Sequence, residues 1–178
     1  MHEVEVLRPP LAFGRAHASI TPSENGAVAT KSVDGGWRAA ASEVAMRSGR
    51  HFAQFTVVAG RDMLFGVIRP GFDVEAGVGV HYVDGHCFYN TYGGQCYNTY
   101  GRIDWEGRQA ATEQGDRIGM LLDLDQGSMA VWKNGERLGV MQSEGLTGPL
   151  CWAALVRNQG DDARIESAPI PVLVAEDP

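Results

Sequence analysis

The residues that could do chemistry crowd around one stretch, FYNTYGGQCYNTYG, Phe88 to Gly101, with His81, His86, Cys87 and Cys96 in or beside it. A zinc site needs tight ligand pairs such as Cys-x2-Cys, and here only His86 and Cys87 are close. Adjacent strand residues point to opposite faces, so that pair cannot ligate one ion. Cys87 and Cys96 could bridge a hairpin. However, three cysteines, widely spaced in a 178-residue chain, point to a reducing compartment instead. A second candidate is the carboxylate pair Asp123 and Asp125, which a glycosidase would set on either side of a sugar cleft. They sit in LLDLDQG, where an aspartate ahead of a glycine-containing turn is better explained by capping it. No nucleophile-elbow, phosphate-loop or dinucleotide motif occurs in a credible context. The expectation is therefore a protein that is not an enzyme and carries no cofactor and no metal.

The stretch also repeats a word. Tyr89–Gly93 and Tyr97–Gly101 both read YNTYG, and nothing echoes them elsewhere, so no solenoid or propeller follows. Tyrosine and threonine suit a pleated surface, and Gly93-Gly94 suits a turn between two strands. The competing reading is a platform of exposed tyrosines, which offer large contact area at low entropic cost.

Composition bounds the elements that position these residues. The chain is 44% hydrophobic and 21% charged, as expected of one globular domain. Its net charge of −7, with no basic run, argues against nucleic acid and anionic membrane as partners. No apolar run is long enough to span a bilayer, and the N-terminus does not read as a signal peptide. The expectation is a cytoplasmic or nuclear protein, monomeric in solution.

Period-two alternation recurs along the chain. In HFAQFTVV (51–58), Ala53, Phe55 and Val57 share a face. In DRIGMLLDLD (116–125), Ile118, Met120, Leu122 and Leu124 do so, and in LCWAALV (150–156), Leu150, Trp152, Ala154 and Val156. Further strands are expected at 17–21, 26–33, 63–68, 77–83, 129–133, 136–141 and 163–167. Asn134-Gly135 between two alternating runs predicts a two-residue hairpin with positive φ at both positions. The stretch 118–141 then forms a three-strand meander. Residues 38–47, RAAASEVAMR, lack a clean apolar stripe and read as a loop or strand with one helical turn. Trp37, Trp105, Trp132 and Trp152 read as packing residues.

These motifs resemble the SPRY domain, the core of the B30.2 (PRY-SPRY) family. The resemblance rests on Gly35-Gly36-Trp37, on Ser48-Gly49-Arg50-His51-Phe52 leading into a strand, and on Phe65-Gly66-Val67. Its longest part runs from Gly115-Asp116-Arg117-Ile118 to Lys133-Asn134-Gly135-Glu136-Arg137-Leu138-Gly139-Val140. Ala53 and Val131 depart from the usual Trp and Phe, so the core must be refilled, with Phe55 and Trp132 as the candidates.

The resemblance implies an all-β fold with few or no helices. It would be a twisted antiparallel β-sandwich of two sheets, a concanavalin-like jelly roll. One SPRY-type domain spans 1–178, its core about 17–168, as a free-standing protein or part of a larger one. The implied function is a non-catalytic module that recognises a protein or peptide through loops at one end of the sandwich. Such modules serve as targeting or substrate-recognition units, for example as ubiquitin ligase adaptors. The loops at the matching places bring in Arg69, Pro70, Phe72, Tyr82, Val156, Arg157 and Asn158 as ligand-binding candidates. Members that bind an Asn-rich peptide carry a Thr and a Val-Trp-Gly element that are missing here, so that specificity should not transfer. The alternative is a glycan-binding or glycan-hydrolysing concanavalin-type sandwich.

Overall fold

In the computed structural model the chain is described over residues 10–76 and 84–171. The strand expected at 77–83, with His81 and Tyr82, lies outside the described residues. Among those described, fourteen strands form two antiparallel sheets and no α-helix occurs. In chain order they are β1 Arg15–Ala16, β2 Ile20–Ser23, β3 Val28–Lys31, β4 Arg38–Ala41, β5 Arg50–Ala59, β6 Leu64–Ile68 and β7 Cys87–Asn90. There follow β8 Cys96–Asn98, β9 Gly101–Ile103, β10 Arg117–Asp123, β11 Ser128–Lys133, β12 Glu136–Gln142, β13 Cys151–Val156 and β14 Asp162–Ser167. The first sheet has the order β1-β4-β13-β6-β7-β8-β9, and the second β12-β11-β10-β5-β14-β3-β2. The all-β sandwich expected from the sequence is the observed architecture.

Alternation sorts the side chains. Ala53, Phe55 and Val57 of β5 and Ile118, Met120 and Leu122 of β10 face inward, against Phe65, Val67 and Trp152 of the first sheet. Phe55 stacks on Phe65 at 4.9 Å and meets Trp152 edge-on at 6.0 Å. Each such ring is fully removed from water, which contributes roughly 1.5–3 kcal/mol by transfer. Gly66 is required by close approach. A Cβ there would lie 1.9 Å from the carbonyl oxygen of Cys87, so any side chain would prise β6 from β7.

The hairpin at Asn134-Gly135 forms with φ of 51° and 86°, and β10, β11 and β12 are the meander. The Asn134 side chain fastens the turn, accepting from the Arg117 amide at 2.8 Å and donating to Asp116 at 3.1 Å.

Three expectations are corrected. Trp132 does not refill the core. Val131 faces inward, and strand alternation then turns Trp132 to the outer face, beside Phe52, Leu121 and Ala130. Phe55 and the inward Val131 occupy the core themselves. Residues 38–41 form the strand β4, and after it only Met46 pairs, in a bridge to Leu150. No helical turn forms there, because Ala39 and Ala41 pack outward and Ala40 inward, as strand residues do. The YNTYG stretch makes the two expected strands, β7 and β8, around the turn near Gly93-Gly94, and the expectation is corrected only in that a third strand, β9, pairs with β8.

Candidate functional site

Strand direction decides which loops can cooperate. β13 runs antiparallel to β6, with Cys151 opposite Ile68 and Leu155 opposite Leu64. The chain leaving β6 at Arg69 and the chain leaving β13 at Arg157 therefore emerge at opposite ends of the sandwich. At about 3.3 Å per residue, five-residue β6 separates them by roughly 17 Å or more. The sequence grouped both arginines in one surface; the topology splits them.

At the Arg69 end, the side chains are spent on the fold. One guanidinium nitrogen of Arg69 donates to the carbonyls of Thr147 and Pro149, the second to the Thr147 hydroxyl at 3.2 Å. Asp84 lies 3.6 Å away, and the Arg69 side chain is 26% exposed. Phe72 packs with Val74 against Leu64, Ile68, Phe88 and Leu155 on the outer face of the first sheet. Its carbonyl accepts from Arg15 at 2.7 Å, and its amide donates to the Arg69 carbonyl at 3.1 Å. Pro70 sits half-buried in the turn between them.

At the Arg157 end, loops from four connections are fastened to one another. Asp161 is buried, and its Oδ2 accepts from the amides of Arg157 at 3.1 Å and Asn158 at 2.9 Å. This is an aspartate folding its own loop back. The Lys31 amide donates to the Asp161 carbonyl at 2.8 Å, and the Gly160 amide to the Lys31 carbonyl at 2.9 Å. Asp34 accepts from the Gln159 amide at 2.7 Å, so residues 32–37 and 157–161 form one body. Lys31 is fully buried with its ammonium on the Val33 carbonyl. Burial, helped by Arg38, pushes that ammonium below its ordinary range, while Asp34 and Asp161 oppose the shift.

On this frame Arg157 lies over the Trp37 ring, 5.3 Å from its centroid, and its guanidinium is 3.6 Å from Asp62. The Arg157 side chain remains 44% exposed. Trp37 is half-buried rather than core, because its indole carries the arginine on one side. Asp62 also accepts from Asn90 at 2.9 Å, which links this cluster to the first copy of the doublet. Thr91 is buried there, accepting from the Met63 amide at 2.9 Å and donating to the Arg61 carbonyl at 3.0 Å. The turn so anchored presents Tyr92, 60% exposed, and across the surface Val33 is 53% exposed. Val156 is fully buried and Asn158 exposed. The second copy, tipped by Tyr100, turns at the far end, since Asn98 lies opposite Cys87.

The other chemical candidates are occupied. Asp123 caps the turn after β10, accepting from the amides of Asp125 and Gln126 at 3.0 Å each. Asp125 accepts from the Gly49 amide at 3.2 Å, so the two carboxylates hold loops rather than flank a cleft. Cys87, Cys96 and Cys151 are buried free thiols. A hydrogen bond with Cys96, together with burial, pushes the Cys87 thiol well above its ordinary range. Among the described residues no three His, Cys, Asp or Glu side chains come together to hold a metal ion.

The architecture has counterparts among solved structures. The SPRY domain of human HERC1 is 20% identical at a TM-score of 0.72, over 90% of this chain and 99% of that one. A human SPRY domain is 17% identical at 0.61, over 83% and 94% of the two chains. The PSpry domain of TRIM65 is 11% identical at 0.68, over 88% and 89%. The chain has the SPRY fold. No family model matches the sequence, and no curated protein is significantly similar to it. The SPRY scaffold thus fixes where the loops emerge, while their chemistry has to be read from this chain's own residues.

The sequence pointed to Arg157, Asn158 and the tyrosines of the doublet, but not to the neighbouring Trp37, Asp62 and Val33. A signal existed for Trp37: the two glycines before it have φ of 149° and 86°, a loop conformation rather than a core strand. For Asp62 there was none, because its importance rests on contacts with Asn90 and Arg157, which are distant in sequence.

Proposed function

We propose that this protein is a non-catalytic interaction module that binds a protein or short peptide at the Arg157 end of the sandwich. The observation that carries this is Arg157 itself: stacked on Trp37, paired with Asp62, on loops locked by Asp161 and Asp34, and still 44% exposed. A preorganised arginine loses little side-chain entropy on binding, and its free donors suit a carboxylate or a backbone carbonyl. Val33, Trp37 and Tyr92 supply the apolar area that interface anchors need.

The net charge of −7 favours a protein over a nucleic-acid partner. The module acts as a monomeric targeting or substrate-recognition unit, without a cofactor, in the cytoplasm or nucleus. In this reading Arg69, Pro70 and Phe72 serve the scaffold. A captured partner, added back to the purified protein, should slow amide hydrogen exchange in 32–37, 60–63, 91–95 and 157–160. Slowing confined to 69–73 and 147–149 would place the site at the other end.

A further inference from the structure

The outer face of the second sheet carries a feature that the Arg157 surface does not use. Phe52 and Trp132 meet edge to face there, with centroids 5.7 Å apart and planes at 82°. Arg137 lies over the indole at 5.9 Å, and Trp132 is only 5% exposed. Gly119 stands opposite Trp132 in the ladder, and a Cβ on it would come within 2.5 Å of the Phe52 ring. The glycine therefore gives that ring its place.

After β14 the chain passes this face as Ala168-Pro169-Ile170-Pro171. These residues form one wall of a cavity of about 400 Å³, with Phe52, Gly119 and Trp132 among its other walls. Ser167, Ala168 and Ile170 also line a second cleft, of about 660 Å³, that reaches Met46 and Trp152. A segment with open apolar space on both sides is weakly held, and Ile170 is 39% exposed. Its two prolines favour an extended backbone, which aromatic slots bind at low entropic cost. Arg117 lines the same cavity, and Arg137 covers the indole.

We propose that the Phe52–Trp132 slot is a second recognition site, for an extended Pro-x-Pro peptide with acidic residues beside the prolines, and that Ala168–Pro171 is its displaceable occupant in cis. A partner must compete with the strap, so its apparent affinity is scaled down by the fraction of molecules with an open slot.

The test is fluorescence polarisation with a fluorescein-labelled peptide, Asp-Ala-Pro-Ile-Pro-Asp, titrated with the full chain and with its Pro169→Ala/Pro171→Ala variant. The variant should bind about 10-fold or more tightly than the wild type. Phe52→Ala in the variant background should abolish binding, and Arg157→Ala should leave it unchanged. Equal or weaker binding by the double-proline variant overturns the proposal, as does no binding by either protein. Binding that survives Phe52→Ala, or is lost with Arg157→Ala, also overturns it. Should Phe52→Ala fail to fold, the ¹⁵N spectrum of the double-proline variant decides. The peptide should move the Trp132 indole N–H resonance, and a stationary resonance refutes the slot.

Discussion

Arg69 and Arg157 make a matched pair. Each follows a strand of the first sheet, and each has an aspartate 3.6 Å away, Asp84 for one and Asp62 for the other. Their remaining contacts differ. Arg69 turns its donors inward onto the Thr147 and Pro149 carbonyls and closes a loop. Arg157 lies over the Trp37 ring and keeps much of its surface in water. A guanidinium whose donors are satisfied within the chain stabilises it, with charge-assisted bonds contributing up to about 1.5–3 kcal/mol. One held by stacking and an exposed ion pair adds only about 1 kcal/mol to the fold and keeps donors for a partner. Position after a strand therefore does not mark a binding arginine. What its donors already touch does.

The largest expected effect comes from removing the frame of the Arg157 end. Asp161→Ala removes the buried carboxylate that accepts from the part-buried amides of Arg157 and Asn158, at a cost of about 3 kcal/mol for the two bonds. Differential scanning calorimetry should show Tm lower by roughly 6–12 °C, with partner binding lost as well. A variant that melts like the wild type would mean the loops are not held from Asp161.

A smaller change isolates the stacking. Arg157→Lys keeps the charge but gives up the planar face and fork, so affinity for a captured partner should fall about 10-fold at unchanged Tm. Isothermal titration of the two proteins against that partner measures it. Full retention of affinity would reduce the site to a point charge.

The smallest effect concerns Asp162, at the start of β14 beside the same loops. Burial raises its carboxyl above the ordinary range, against the opposing pull of the Thr30 hydrogen bond and Arg164. The folded state thus holds this proton more tightly than the unfolded state. The group's contribution falls as pH rises through its raised value, and the cost is fully present above it. Asp162→Asn can keep an oxygen toward Thr30 and removes the charge. The variant's gain in Tm should be largest near pH 7 and vanish below the ordinary aspartate value of about 4. A pH-independent difference would trace the effect to packing instead.

How much of this was legible follows from the range of the interactions. Local pattern carried the strands, the Asn134-Gly135 turn and the capping role of Asp123, because each depends on neighbours in sequence. It misplaced Trp132, since alternation gives two faces without saying which is inner until Val131 takes the core. The two arginines fell into one surface because their separation depends on β6 pairing antiparallel with β13, a contact between distant stretches. Asp62 was silent for the same reason. The doublet was half legible: Tyr and Thr did form strands, but only the register shows one copy turning beside Asp62 and the other at the opposite end.

The most direct measurement compares Arg157→Ala with Arg69→Ala, each assayed for quantitative partner capture and for Tm. Arg157→Ala should lose about 30-fold or more in affinity, near 2 kcal/mol, with Tm within about 3 °C of the wild type. Arg69→Ala should capture the same partner undiminished while melting roughly 4–8 °C lower, from a loss of about 2 kcal/mol. If Arg69→Ala loses the partner and Arg157→Ala keeps it, the binding end has been assigned the wrong way round.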